Sequence, residues 1–305
     1  MHEPVVTVIV LHWRTPEMTR ACLQALYQSD YPAMRVLLID NGSLDGVARA
    51  LTHTFPSLHI LELPCNRGFA AAVNIALRQA LAANSAYVWL LNNDVLVCPD
   101  TLRRLVAIKQ AHPQLGLLTP LPIYPDRPQQ VAGIGLRIAP FDVRAVGWNA
   151  SRQAYAPAEP IMLDAVFATA MLVDAAVFRQ IGLFDEQFFF YYEDADLCLR
   201  ARQAGIGCAC TPAVVVTHDV AATARRVQGL RDFHLAYNRQ LFFRKHWHGW
   251  RFAVYVVLES LRVLREINNR LRRASPADAL GYASGTVQGL LWGRPYHPYL
   301  DGVQR

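Results

Sequence analysis

Residues 185–200 read D-E-Q-F-F-F-Y-Y-E-D-A-D-L-C-L-R, where five carboxylates surround an aromatic run that passes into an amphipathic pattern closed by an arginine. Glu193, Asp194 and Asp196 stand at the start of that pattern. Carboxylates in the first turn of a helix meet free N–H groups and the positive end of the helix dipole, so capping is one reading of these acids. The rings of Phe188, Phe189, Phe190, Tyr191 and Tyr192 supply another. A carboxylate beside apolar walls has its pKa raised toward the range in which it can take a proton from a substrate hydroxyl.

Three other stretches carry polar residues directly after apolar runs. I-D-N-G-S-L-D-G (39–46) places Asp40 before a glycine turn; Ser43 and Asp45 suit helix capping, whereas Asp40 can accept the N3–H of uracil or thymine. In C-N-R-G-F-A-A-A-V-N (65–74), Gly68 permits close backbone approach at a helix start, a place suited to phosphate or ribose oxygens. L-N-N-D-V (91–95) offers Asn92, Asn93 and Asp94 as hard oxygen ligands, a set suited to Mg²⁺ or Mn²⁺ shared with substrate phosphates, or equally an ordinary Asn/Asp turn. His218, after a long apolar run, is open to both a metal-ligand and a plain surface reading.

Strands are expected at 5–11, 36–39, 58–63 and 87–91, alternating with helical periodicity at 16–28, 44–54, 69–83 and 99–111. Such alternation builds βαβ units on a mostly parallel sheet, whose ligands bind outside the carboxyl ends of the strands. From 120 to 160 prolines and glycines point to a long irregular binding loop. An acidic helix at 193–204, a strand at 206–217 and a wholly helical tail from about 228 complete the pattern. There is no G-x-G-x-x-G after the first strand and no G-x-x-x-x-G-K-[ST], which removes the main support for dinucleotide redox enzymes and Walker-type NTPases.

Taken in order, V-T-V-I-V (6–10), I-D-N-G-S-L-D-G, N-R-G-F-A-A-A-V-N (66–74), L-N-N-D (91–94), G-L-F-D-E-Q-F-F-F-Y-Y-E-D-A-D-L-C-L-R (182–200) and the later histidine resemble family 2 glycosyltransferases, near the rhamnosyltransferase-like branch. The resemblance covers roughly residues 5–245. It implies a GT-A (Rossmann-like, nucleotide-binding) α/β fold as a catalytic domain at 1–245, with a helical extension at 246–305. It also implies inverting transfer from a nucleotide-sugar, best dTDP-rhamnose, to a lipid-linked saccharide acceptor, in bacterial cell-surface polysaccharide synthesis. Asp194 corresponds to the base, beside Glu193; Asp94 to the metal position of the D-x-D motif; His218 to a neighbour of metal and diphosphate. Asp40, Asn41, Asp45, Asn66, Arg67, Gly68, Asn74, Asn92, Asn93 and Arg225 are expected on the donor side. Ala168, Thr169, Tyr192 and Asp196 are expected on the acceptor side. Three departures stand out: D-x-D is here Asn92-Asn93-Asp94, the glycine of the acceptor-side loop is replaced in F-A-T-A-M (167–171), and H-x-x-G-x-S is H-D-V-A-A-T.

Composition sets the remaining bounds. With 305 residues and 53% hydrophobic content the chain fills a real core. Its six cysteines form no C-x-x-C pair and read as small buried hydrophobes of a reducing cytoplasm, and no signal-peptide pattern precedes the first strand. Residues 1–216 carry 16 Lys+Arg against 18 Asp+Glu, net −2, and residues 217–305 carry 14 against 6, net +8. The basic tail lacks a nucleic-acid motif and suggests an anionic membrane surface or phosphorylated substrate. Residues 250–273 form an amphipathic helix, either packed by its apolar stripe on the domain or on a second subunit, or lying at a membrane surface. Two readings compete with a transferase: a sugar nucleotidyltransferase, which would need a glycine-rich basic loop where this chain has L-H-W-R-T-P (11–16), and a non-catalytic carbohydrate-binding relative.

Overall fold

The computed structural model describes residues 3–155, 159–220, 230–272 and 275–291. Its first part alternates as the apolar pattern dictates: β1 (Val6–His12), α1 (Pro16–Leu26), β2 (Met34–Asp40), α2 (Val47–Thr54), β3 (His59–Glu62), α3 (Gly68–Ala82) and β4 (Tyr87–Asn92). Val6, Val8 and Val10 on one face and Thr7 and Ile9 on the other are all buried, as is expected of a strand covered on both faces. β3, β2, β1 and β4 lie side by side and parallel, in a register that pairs His12 with Asp40 and Leu11 with Asn92. That register aligns their carboxyl ends, so the side chains just beyond them emerge along one edge.

The sheet continues with β5 (Val95–Leu96), α4 (Thr101–Ala111), β6 (Leu115–Ile123), β7 (Gln130–Ala139), β8 (Asp142–Ser151), β9 (Ile161–Leu163), β10 (Ala170–Asp174), α5 (Ala175–Ile181), α6 (Glu193–Gln203) and β11 (Gly207–His218). Eleven strands result, in the order β3-β2-β1-β4-β10-β6-β11-β5, with β7 and β9 joined to β6 and β11, and β8 to β7. The parallel expectation holds for β3-β2-β1-β4 and for β6 with β11, whereas β10 runs antiparallel to β4 and β6, β7 antiparallel to β6, and β5 and β9 antiparallel to β11. The expectation of an irregular loop over 120–160 is corrected: most of it is strand. Pro120 and Pro122 sit inside β6, two residues apart, so both missing N–H groups fall on the same strand edge, and the pairing of β6 with β10 has already ended at Leu118. Four cysteines are buried as expected, while Cys65 and Cys98 are exposed.

The described chain divides into two compact units. The first holds 3–139, 143–184 and 194–220; the second holds 140–142, 185–193, α7 (Leu230–His246), α8 (Trp250–Arg272) and α9 (Pro276–Leu291). A boundary at 245 is therefore displaced, because α7 packs with the helices that follow it. In the second unit the Arg239 Nε donates to Glu259 Oε2 at 2.9 Å and Gln240 donates to Glu259 Oε1 at 3.1 Å, both on a carboxylate that is 2% exposed. Glycines at 285 and 289 let α9 lie against the backbone of α7: a Cβ would stand 2.3 Å from the Phe233 carbonyl oxygen and 2.8 Å from that of Tyr237.

Asn74, on α3, is committed to the fold of the first unit. Its Nδ2 donates to the Phe184 carbonyl at 2.9 Å and its Oδ1 accepts from the Phe184 N–H at 3.1 Å, both buried. The G-L-F-D turn that precedes the acidic segment is thereby closed by a side chain, and the donor-side reading of Asn74 is corrected to a structural one. Replacing it by alanine leaves two buried backbone groups unpaired. Asn74→Ala is expected to lower unfolding stability by roughly 2–4 kcal/mol, seen as a lower urea midpoint at unchanged slope.

Candidate active site

At the tip of β2 the Asp40 carboxylate is 6% exposed and its Oδ1 accepts the Ser43 N–H at 2.8 Å. Gly42, at φ +72°, passes so close to the second loop that a Cβ there would meet the Cys65 carbonyl carbon at 2.4 Å. Asn41 ties the same two loops. Its Nδ2 donates to Asn66 Oδ1 at 3.0 Å and to the Gly68 carbonyl at 3.2 Å, and its Oδ1 accepts the Arg67 N–H at 2.9 Å. The Gly68 N–H is bonded to Asn66 Oδ1 at 2.8 Å. Asn41 and Asn66 thus shape the loops through protein contacts, and the amide of Gly68 is already taken.

His12, fully buried at the tip of β1, was not among the expected site residues. Its Nδ1 lies 2.7 Å from Thr19 Oγ1 and its Nε2 lies 3.4 Å from Asp45 Oδ2, while Asp45 Oδ1 accepts the Val47 N–H at 3.0 Å. Asn93 joins this network by donating to Thr15 Oγ1 at 2.6 Å and Thr19 Oγ1 at 2.7 Å. With its amide nitrogen so occupied and 8% of its surface exposed, Asn93 braces the L-N-N-D turn. The signal for His12 was the polar residue that ends the first strand, which the missing glycine motif had drawn attention away from.

Asp94 and His218 come together because β5 pairs antiparallel with β11, setting His218 opposite Val95. The Asp219 N–H donates to the Asp94 carbonyl at 3.1 Å and closes the ladder. His218 Nε2 lies 3.4 Å from Asp94 Oδ1, a buried oxygen with no hydrogen-bond partner. An orphaned carboxylate oxygen beside an imidazole is a set of donors that a divalent cation satisfies. Among the described residues no three His, Cys, Asp or Glu side chains converge on one point. A cation here needs further ligands, as Mg²⁺ bound through one or two carboxylates and substrate phosphates does.

Asp194 lies in the first turn of α6. Its Oδ1 accepts the Ala195 N–H at 2.7 Å and its Oδ2 faces the Ala168 N–H at 3.4 Å. Burial pushes its carboxyl up from 3.8 to about 6, against the amides of Ala195 and Ala168, which hold it down. The loop that supplies Ala168 is anchored one residue later, where the Thr169 carbonyl accepts the Asn92 N–H at 2.8 Å. Asp196 is corrected: it is fully buried and paired with Arg200 at 2.8 Å, and that guanidinium also donates to the carbonyls of Ile181 and Leu183, so the pair closes a turn and cannot meet an acceptor. Glu193 and Tyr192 belong to the second unit, where the Tyr192 ring lies 5.6 Å from Phe242. Tyr191 and Tyr192 both have positive φ, +74° and +72°, in a loop held by Asn238, which donates to the carbonyls of Phe190 and Tyr191.

A family described as "Glycosyltransferase like family 2" matches residues 3–234. The chain belongs to that family. It is a glycosyltransferase, and its α/β sheet flanked by helices has the GT-A architecture. An N-acetylglucosaminyl-diphospho-decaprenol L-rhamnosyltransferase of Mycobacterium tuberculosis is 27% identical over 90% of this chain and 96% of its own. The rhamnosyltransferase WbbL of Escherichia coli is 30% identical over 45% of this chain and 53% of its own. Among solved structures, the Pyrobaculum calidifontis mannosyltransferase PcManGT, in complex with GDP-Man and Mn²⁺, shares the fold at TM-score 0.60 and 18% identity, over 97% of this chain and 89% of that one. Staphylococcus aureus TarS 1-349, in complex with UDP-GlcNAc, does so at TM-score 0.51 and 16% identity, over 96% and 93%.

In the first unit of the glycosyltransferase, then, the strand tips bring Asp40, His12, Asn92 and Thr169 to one edge, and β5 and β11 bring Asp94 and His218 to one point. Arg225, expected on the donor side, lies outside the described residues. The raised pKa of Asp194 has two opposite consequences with pH. In the role of a base Asp194 must be ionised, and in that role turnover would rise with pH through about 6. Stability should fall over the same window, because a folded-state pKa above the unfolded one gives a contribution complete below about 3.8 and lost as pH passes about 6. Asp194→Asn is expected to cut kcat by roughly 10²-fold or more and remove the pH step while raising the melting temperature at pH 7. Full turnover in that variant would refute the assignment.

Proposed function

We propose that this glycosyltransferase moves a sugar with inversion from a nucleotide-sugar, best dTDP-rhamnose, to a lipid-linked saccharide. The observation that carries the reading is the Asp194 carboxyl at the start of α6, desolvated by burial, faced by the Ala168 N–H at 3.4 Å and pushed up to about 6. In this role Asp194 takes the proton of the acceptor hydroxyl as that oxygen attacks the anomeric carbon, and the sugar–phosphate bond breaks on the opposite face. Asp40 receives the N3–H of thymine or uracil at the tip of β2. Asp94 and His218 would hold Mg²⁺ or Mn²⁺, whose charge offsets that of a nucleoside diphosphate. The rhamnose donor and the lipid-linked acceptor are supported by the M. tuberculosis relative, which aligns with nearly the whole chain.

Association with an anionic membrane belongs to the same reading and is supported by the orientation of α8. The buried face of this helix carries Tyr255 and Glu259, whereas Val257, Leu261, Leu264 and Leu271 are each more than half exposed. Glu259 is neutralised by Arg239, and Glu266 by Arg270, which leaves the exposed Arg251, Arg265 and Arg272 as surplus charge along an apolar surface. No described helix is long and apolar enough to cross a membrane.

Activity is expected to disappear in excess EDTA and return with Mg²⁺ or Mn²⁺. Asp94→Ala should lower kcat/KM by about two orders of magnitude, a loss of about 2.7 kcal/mol, and His218→Ala by less. A thermal-shift panel of nucleotide-sugars should show dTDP-rhamnose stabilising the protein most; stabilisation by GDP-sugars alone would overturn the donor. Co-sedimentation at low salt is expected with anionic but not neutral vesicles and to be reversed by high salt, whereas equal recovery in the supernatant with both, together with a dimeric mass, would place the α8 stripe in a subunit interface.

A further inference from the structure

Trp148 on β8 is set up in a way that core packing does not explain. It is 39% exposed, yet its back is closely fitted. A Cβ on Gly133, at φ +84°, would stand 2.8 Å from Trp148 Cε2 and 3.1 Å from Phe167 Cε2, so only glycine lets the two rings lie this close to β7. The ring centroids of Trp148 and Phe167 are 6.0 Å apart at 54°. Both neighbours of Trp148 have left-handed backbone, Gly147 at φ +82° and the exposed Asn149 at φ +59°. A distortion of this kind re-aims a side chain out of the regular pleat, and such strain gathers at ligand-binding positions.

The place of this ring decides what it is for. Phe167 immediately precedes Ala168, whose N–H faces Asp194 Oδ2 at 3.4 Å. The indole therefore leans on the residue next to the amide that orients the proposed base. A solvent-facing aromatic plane fixed from behind offers a π face to the apolar C–H face of a pyranose, and loses little side-chain entropy in doing so.

We propose that Trp148, backed by Gly133 and Phe167, is a stacking platform for the acceptor saccharide, holding the sugar ring whose hydroxyl is presented to Asp194. The proposal rests on the reading of Asp194 as base. It makes Trp148 a determinant of acceptor affinity and specificity and gives it no part in donor binding or proton transfer.

The test compares wild type, Trp148→Ala, Trp148→Phe and Gly133→Val, all checked for native circular dichroism, using dTDP-rhamnose and a water-soluble short-prenyl-diphospho-N-acetylglucosamine. Trp148→Ala is expected to raise the acceptor KM about three- to ten-fold, the size of one aromatic contact, with kcat and donor KM within about two-fold. Trp148→Phe should recover most of that loss, and Gly133→Val should mimic Trp148→Ala by displacing the ring. Intrinsic fluorescence supplies a readout independent of turnover: the acceptor analogue, or a member of a panel of methyl glycosides, should quench wild type and fail to quench Trp148→Phe. An unchanged acceptor KM in Trp148→Ala while Asp194→Asn is inactive would overturn the platform and leave the base in place. An active Asp194→Asn would instead remove the base, and fluorescence alone would then decide the platform, with equal quenching of wild type and Trp148→Phe, or quenching by no saccharide, counting against it.

Discussion

The hydrogen bond from the Asn92 amide to the Thr169 carbonyl is the junction on which the site in the first unit depends. On one side it extends β4, whose parallel register with β1 and β2 sets the tips of Asp40, His12 and Asn92 in a row. On the other it begins β10, the antiparallel strand that carries the loop ending in Ala168. The Trp89 indole N–H, fully buried, donates to the Ala170 carbonyl at 3.1 Å and reinforces the same crossing. The strand tips of β1, β2 and β4 and the amide facing Asp194 are thus linked through a single backbone hydrogen bond in a close-packed sheet. A shift of one residue in that pairing would turn every side chain of β10 to the opposite face.

Charge is distributed with the same economy. Asp194 loses water on burial and regains part of the cost from two amides, an outcome between a buried acid and a fully capped one. Asp94 keeps a buried oxygen without a hydrogen bond, a deficit that a cation removes. Asp196, only two residues from Asp194, is instead fully compensated by Arg200 and has no capacity left for chemistry. Three aspartates therefore differ in what neutralises them: two amides for Asp194, an imidazole nearby for Asp94 and a guanidinium for Asp196.

The first four strands, the alternation of helices and the polar strand tips were legible because each is written in local periodicity, and β1, β2 and β4 are buried on both faces while β3 lies at the sheet edge with His59 and Glu62 exposed. The length of β6 was not. Prolines signal a break unless their spacing is even and one edge lacks a partner, and the second condition belongs to the sheet and not to the segment. Asn74 sits in a recognisable motif, but its task is fixed by Phe184, far along the chain, and no local signal reports that pairing. Helix α8 shows the same limit: its amphipathic pattern was plain, yet the face turned inward was chosen by Arg239 on α7, which draws Glu259 into the interior and leaves the leucines outside. Asp194 was legible as an acid at a helix start, while the loop residue opposite it was expected only through resemblance.

The strand order has a consequence in time. β1, β2 and β3 are consecutive parallel units with short connections, so their pairing closes small loops and can begin while the chain is still being made, and β4 then joins β1 across roughly eighty residues. β10 enters next to β4 across roughly eighty residues of sequence, and β11 must then dock beside β6 and β5. The Asp94–His218 pair cannot exist before residue 218 has left the ribosome, whereas Asp40 and His12 already lie side by side. Vectorial synthesis therefore completes the strand tips that carry His12 and Asp40 first and the Asp94–His218 pair last, so the two halves of this edge are laid down at opposite ends of translation.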